Sequence, residues 1–295
     1  MFSGSFVAIV TPMRADGSID HEGWSRLIDF HLQSGTRGVI VGGTTGESPT
    51  LDESELADLL QRAKRQIAGR MVLMAGAGQN STAGTVDRVH KLCALGAEAL
   101  LVVTPAYNKP TQEGLYQHYA AVAQASSVPV MLYNVPGRTA VDLLPETVAR
   151  LAELPQITSI KEAVGDLARI RALLDRAGRL AIFSGDDATS REAVLAGAKG
   201  VVSVTANVAP RAMAQMIDAA LAGDAARAAN IDATLAALHK DLFIESNPIP
   251  VKWALARMGL IGEGIRLPLT PLSPHCHARV LAALAQAGIE VTARP

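Results

Sequence analysis

Gly35-Thr36-Arg37-Gly38-Val39-Ile40-Val41, Gly96-Ala97-Glu98-Ala99-Leu100-Leu101-Val102 and Gly197-Ala198-Lys199-Gly200-Val201-Val202-Ser203 repeat one short pattern. Each opens on a glycine suited to ending a helix, passes a two-residue link and enters a buried strand. A continuous apolar run marks a strand covered on both faces. Working outward, the same reading predicts strands at Phe6–Thr11, Gly38–Val41, Met71–Ala75, Ala99–Val103, Val130–Tyr133, Thr158–Lys161, Ala181–Ser184 and Gly200–Val204. Helical patterns fill the gaps. Leu56, Leu59, Leu60, Ala63 and Ile67 share one helical face behind an Asp52/Glu55 capping box. Eight β-α units in series predict a (β/α)8 TIM barrel in preference to an open sheet. After about Thr205 only helices are expected, at Pro210–Leu221, Asp224–Leu242, Pro250–Met258 and His275–Ala287. The first completes a barrel of residues 1–224. The others form a C-terminal helical appendage, residues 225–295, after a break and N-cap at Gly223-Asp224.

Of the 295 residues, 49% are hydrophobic and 19% charged, so the chain can bury a sizeable core. A net charge of −1 argues against a nucleic-acid surface or a polybasic membrane patch. Two cysteines, Cys93 and Cys276, cannot build a disulfide framework, and a reducing cytoplasm suits them. The start lacks a basic n-region, and the apolar run Phe6 to Val10 is too short for a signal peptide. No apolar stretch approaches the ~20 residues that span a bilayer.

In such a barrel, chemistry gathers at the C-terminal ends of the strands. Lys161 ends the sixth. A lysine at the mouth of a buried sheet loses hydration, and a neutral amine there can attack a carbonyl. The plainer reading is a lysine paired with a neighbouring carboxylate. The second strand runs into Gly42-Gly43-Thr44-Thr45-Gly46-Glu47-Ser48, whose glycines let backbone N–H groups face a carboxylate or phosphate, or simply make a tight turn. Tyr107 and Tyr133 follow the fourth and fifth strands, either as proton carriers or as amphipathic rim residues. Arg138, on a Pro-Gly turn, either holds a carboxylate through its fork or is an ordinary surface arginine. Gly185-Asp186-Asp187, after the seventh strand, reads as an N-cap. An amine, a phenol, hydroxyls, anion-binding amides and an arginine match an imine-forming aldolase, which needs neither metal nor nucleotide cofactor. His275-Cys276-His277 is a poor metal site, because residues two apart on a helix do not face each other.

These residues also carry a resemblance that spans almost the whole chain. Gly42-Gly43-Thr44-Thr45-Gly46-Glu47, Tyr133-Asn134-Val135-Pro136-Gly137-Arg138-Thr139, Ile160-Lys161-Glu162-Ala163, Gly200 to Asn207 and Asn247-Pro248-Ile249-Pro250-Val251-Lys252 resemble the dihydrodipicolinate synthase family. The resemblance implies that Lys161 forms a Schiff base with pyruvate, which then condenses with aspartate semialdehyde. It implies that Tyr133 relays protons and that Thr44 links it to Tyr107. The tyrosine matching Tyr107 enters a neighbouring subunit's site, which implies a homodimer or homotetramer. Thr45 with nearby amides would hold the pyruvate carboxylate, the Val202 carbonyl would lie near the imine, and Arg138 would bind the carboxylate of the semialdehyde.

The same scaffold serves sialic acid lyases and sugar-acid aldolases or dehydratases, the alternative reading. Arg138 favours the synthase, because a semialdehyde with a carboxylate needs a cation where a sugar acid needs hydroxyls and amides. A catalytically idle barrel would have lost the lysine, a tyrosine or the threonine, and all are present. Family members inhibited by lysine hold it in a cleft between subunits. The matching positions here are Ser48, Pro49, Glu53, Leu56, Asn80, Gly84 and Ala106. A carboxylate is expected where Gly84 stands and a tyrosine where Ala106 stands, so lysine inhibition is expected to be weak or absent. Glu53 offers a carboxylate from another direction.

Overall fold

Strand β1 (Gly4–Ala8) pairs in parallel with β2 (Gly38–Val41), and the series continues through β3 (Val72–Gly76), β4 (Ala99–Val103), β5 (Val130–Asn134), β6 (Ile157–Glu162), β7 (Ala181–Ser184) and β8 (Gly200–Ser203). β8 returns to β1, so the sheet closes into the expected barrel. This is a computed structural model and it describes residues 2–292, so the last three residues of the expected appendage lie outside the described ones. The helices are α1 (His21–Leu32), α2 (Glu53–Ile67), α3 (Thr82–Ala94), α4 (Gln112–Ala125), α5 (Pro136–Thr139), α6 (Pro145–Leu151), α7 (Leu167–Arg176), α8 (Ser190–Leu195), α9 (Pro210–Leu221), α10 (Ala225–Asp241), α11 (Ile249–Arg257) and α12 (Pro274–Gln286).

The local signals form as expected. Asp52 and Glu55 make the reciprocal capping box of α2, whose buried face is Leu56, Leu59, Leu60, Ala63 and Ile67. Gly35, Gly96 and Gly197 all have positive φ, the conformation that lets a helix end and the chain turn into a strand. Most boundaries shift by a residue, and two readings change more. β1 begins at Gly4, because Gly4 pairs with Gly200, and it stops at Ala8. The turn read at Pro136-Gly137 is a one-turn helix opened by its proline.

Alternation along each strand divides the core in two. Phe6, Ile40, Met74, Leu101, Met131 and Phe183 fill the barrel. Val7, Val39, Leu73, Leu100, Leu132 and Ile182 face the helices and join a second, larger cluster. Leu235, Leu238, Val251, Val280 and Leu284 of the C-terminal helices belong to that same cluster, so appendage and barrel share one core. Inside, the Phe6 and Phe183 rings meet edge to face at 5.3 Å. Glycine at 38 makes room for Phe6, since a Cβ there would lie 2.2 Å from the ring.

Buried Asn207 closes the seam between β8 and β1. Its Oδ1 accepts from the Val10 N–H at 3.1 Å, and its amide donates to the carbonyls of Ala8 (2.9 Å) and Val204 (3.0 Å). Asn207→Ala strands these main-chain groups without water and should cost on the order of 3 kcal/mol. Urea unfolding should show a lower midpoint at unchanged slope. A loss below about 1 kcal/mol, the size of one ordinary hydrogen bond, would mean that the seam is held by the ladder alone.

Candidate active site

The strand register decides which predicted residues meet. Tyr133 on β5 is the ladder partner of Lys161 on β6, and Phe183 on β7 flanks the lysine on its other side. Lys161 Nζ stands 4.2 Å from the centroid of the Tyr133 ring. The two residues are 5% and 6% exposed. Gly185, just past β7, makes room for the lysine: a Cβ there would lie 2.9 Å from Lys161 Cε and 2.8 Å from Ala163 Cβ. No sequence signal separates this glycine from an ordinary turn glycine. Val202 lies in the inner layer on β8, level with Phe6.

The loop after β2 folds back on itself. The N–H groups of Gly46 and Ser48 donate to the Gly43 carbonyl, and that of Glu47 donates to Thr44. The glycine-rich turn therefore keeps these three amides for itself. Those of Thr44 and Thr45 meet no main-chain acceptor among the described residues. Thr44 and Tyr133 line one small cavity of about 30 Å³ with Gly42, Gly43, Gly78 and Arg88, room for about one water. Among the described residues no hydrogen bond joins the two hydroxyls directly.

Asn247 ties the two expected carboxylate binders together. Its side-chain amide donates to Thr45 Oγ1 at 3.0 Å, and its main-chain carbonyl accepts from the Arg138 guanidinium at 3.0 Å. Glu47 continues the anchorage below. It is buried in a left-handed conformation, ion-paired with buried Lys252 of α11, and accepts from the Arg266 N–H at 3.1 Å. Burial pushes the Lys252 ammonium below its ordinary range, against the pull of Glu47. Sequence reading gave Asn247, Glu47 and Lys252 no role beyond the motifs they sit in, because their partners are about 200 residues away (|i−j| 202 and 205).

The chain matches the dihydrodipicolinate synthetase family model over residues 1–287. It is 54% identical to a 4-hydroxy-tetrahydrodipicolinate synthase of Ectopseudomonas mendocina, over 98% of this chain and 99% of that one. It is 55% identical to the enzyme of that name from Methylococcus capsulatus, over 98% and 100%. A solved chloride-inhibited dihydrodipicolinate synthase from Acinetobacter baumannii, complexed with pyruvate, superposes with a TM-score of 0.97 at 49% identity, over 98% of this chain and 100% of that one. The chain belongs to the dihydrodipicolinate synthetase family.

Within this family fold, Tyr107 stands apart from the other predicted residues. It is 91% exposed at a positive φ, on a loop braced by Asn80, which accepts from the Ala106 N–H and from the Asn108 amide. The expected cap at Asp186-Asp187 is corrected in part. Asp186 does accept from the Thr189 N–H (3.0 Å), but Asp187 turns inward and accepts from the N–H groups of Val204 and Thr205, at 2.9 Å each, fastening the loop after β8. Away from the barrel mouth, the donor atoms of Glu245, His275 and Cys276 lie within 4.8 Å of one another. His275 and Cys276 stand on the first turn of α12, where the helix dipole favours anions over cations, and Glu245 reaches them from the segment between α10 and α11. His277 instead stacks on Trp253, at 4.4 Å.

Behind the lysine, Glu162 is buried, and burial raises its carboxyl to about 7 in spite of hydrogen bonds from Asn134 and Val164. Asp142 and Arg169 are the charged groups beside it. An unfolded glutamate titrates near 4.5. The native state therefore holds the extra proton, and the associated stability is fully present below about 4.5 and lost as pH rises through about 7. The melting temperature of the wild type, taken relative to Glu162→Gln, should fall between pH 5 and pH 8. A constant difference across that window would refute the raised carboxyl.

Proposed function

We infer that this chain condenses pyruvate with L-aspartate 4-semialdehyde to give 4-hydroxy-tetrahydrodipicolinate, a lyase step of lysine and diaminopimelate biosynthesis. The observation that carries this reading is the buried Lys161 with its amine over the Tyr133 ring, at the end of a barrel strand. The Lys161 amine attacks the pyruvate keto carbon and water leaves, giving the imine. The imine draws off electron density, so the methyl carbon loses a proton and becomes the enamine. The enamine carbon attacks the semialdehyde carbonyl. The amine of the semialdehyde then displaces Lys161 as the ring closes. Tyr133 relays protons during imine formation and cyclisation, with Thr44 beside it in the shared cavity. Thr45 and the uncommitted amides hold the pyruvate carboxylate, and the Val202 carbonyl lies near the imine. Arg138, anchored through Asn247, receives the carboxylate of the semialdehyde, which supports the synthase over a sugar-acid aldolase. The names of the relatives point the same way.

The exposure of Tyr107 supports a homodimer or homotetramer in which this phenol enters a neighbouring subunit's site and meets Thr44 there. Free thiols at Cys93 and Cys276 support a cytoplasmic location. No helix among the described residues is long and apolar enough to cross a membrane. We further infer that residues 1–224 form the catalytic barrel and that the C-terminal helical appendage starts at residue 225.

Borohydride reduction with pyruvate should add a pyruvyl group to Lys161 alone, read by peptide mass mapping, and Lys161→Arg should abolish it. Label on Lys109 or Lys252, or none at all, would sink the assignment. Arg138→Ala should raise KM for aspartate semialdehyde far more than for pyruvate, with little recovery in Arg138→Lys. Equal effects on both substrates would assign Arg138 to the fold or to pyruvate.

The cleft matching the family's lysine site supports weak feedback. Gly84 and Ala106 remove the expected charge and ring, and Glu53 is already held by Arg88 at 2.9 Å. Losing one charge-assisted contact costs about 1.5–3 kcal/mol, roughly tenfold to hundredfold in affinity. A lysine titration should show little inhibition at millimolar concentrations. Half-inhibition below about 0.5 mM would mean that other residues rebuild the site.

A further inference from the structure

Tyr133 and Lys161 are each followed by a polar residue that turns the other way. Asn134 and Glu162 are ladder partners one step beyond the Tyr133/Lys161 pair. Alternation sends their side chains to the helix-facing side of the wall, away from the barrel interior. There the Asn134 amide donates to both Glu162 oxygens, at 3.0 and 3.2 Å, and to Asp142 Oδ1 at 2.8 Å. Glu162 Oε1 also accepts from the Val164 N–H at 2.9 Å, and Asn134 Oδ1 accepts from the Leu143 N–H at 3.0 Å. Arg169 grips Asp142 through both nitrogens, at 2.9 and 2.6 Å, and stands 3.6 Å from Glu162. Asn134 and Glu162 are buried, at 0% and 1% exposed, where the outer face of the other strands is mostly aliphatic.

This strand pair has a particular need for a lock. Its ladder is irregular at the start: Val130 pairs with Ile157, but Met131 pairs with Ser159, so Thr158 is an extra residue on β6. A bulge disrupts the ladder locally, and a one-residue slip would send Lys161 to the outer face. Upstream of the reactive pair the register is disturbed. Downstream it is cross-linked by side chains.

We propose that Asn134 and Glu162 are positioning residues that set, from outside the barrel, the spacing and height of Tyr133 against Lys161. The proposal rests on the reading of Lys161 as the Schiff-base lysine and of Tyr133 as its proton partner. Neither positioning side chain touches substrate. They act by holding two neighbouring strand ends in one relation, and displacements of about 1 Å at such a site cost up to roughly 10²-fold in rate.

The test counts active sites and then asks how fast each one works. Borohydride trapping with pyruvate gives the number of trappable sites in the full-length protein. Steady-state turnover per trapped site is then compared in wild type, Glu162→Gln, Asn134→Ala and the double variant. Glutamine keeps the shape but turns one acceptor into a donor facing the Asn134 amide. Each single change should lower kcat per trapped site on the order of tenfold with KM for aspartate semialdehyde held within about twofold. The double variant should be no slower than the worse single, because the pair acts as one unit. A merely structural role would lower the trapped fraction and leave kcat per trapped site unchanged, which overturns the proposal. Fully multiplicative effects in the double variant overturn it too. Should Glu162→Gln fail to fold, Glu162→Asp carries the same test, since it keeps the carboxyl group and withdraws it by one methylene. Wild type labelled at another lysine overturns the site reading and this proposal together. Wild type labelled at Lys161 with unimpaired variants overturns the positioning pair alone.

Discussion

A strand sends successive side chains to opposite faces, and closing eight of them turns the two faces into an inside and an outside. The reactive pair and its outer neighbours follow from that division. Lys161 and Tyr133 fall on inward positions of neighbouring strands, so an amine and a phenol ring meet in the barrel mouth. Asn134 and Glu162, one residue later, fall outside under the helices. The aliphatic residues before them keep helices and barrel in one core. A shift of register by one residue would exchange these roles throughout the strand.

The appendage is part of the site's architecture. Lys252 and Arg266 hold Glu47, and Asn247 holds both Thr45 and the Arg138 side chain. Taking an ion pair such as Lys252–Glu47 out of water is expensive, and losing one partner leaves a buried charge worth about 3–5 kcal/mol of destabilisation. The pair ties the loop after β2 to α11. There Glu47 is left-handed, three loop amides close on the loop itself, and those of Thr44 and Thr45 meet no main-chain acceptor among the described residues.

Stiff and exposed parts are divided along the same lines. The strand ends bearing Lys161, Tyr133 and Val202 are nearly sealed from solvent. Tyr107 is the opposite case, an exposed aromatic held on a braced loop with a positive backbone angle. Such a side chain gains nothing from its own barrel.

The order of strands and helices was legible in the sequence because it rests on local physics: glycine-ended helices, capping boxes and runs apolar enough to be covered on both faces. That Lys161, Tyr133, Thr44, Thr45 and Arg138 stand at or just past strand ends was legible because the ends could be read, whereas Val202 was singled out by the family resemblance alone. What the tertiary structure alone decided are relations between distant segments. Asn207 stitching the seam, Asn247 joining Thr45 to Arg138, Lys252 beneath Glu47 and Asp187 reaching the loop after β8 each bring together residues on different elements. Gly185 is decisive only because Lys161 arrives beside it from another strand. Periodicity and capping are short-range and leave a trace in the sequence. Register, burial of a paired charge and the space left for a side chain depend on which strands become neighbours, and no local pattern records that.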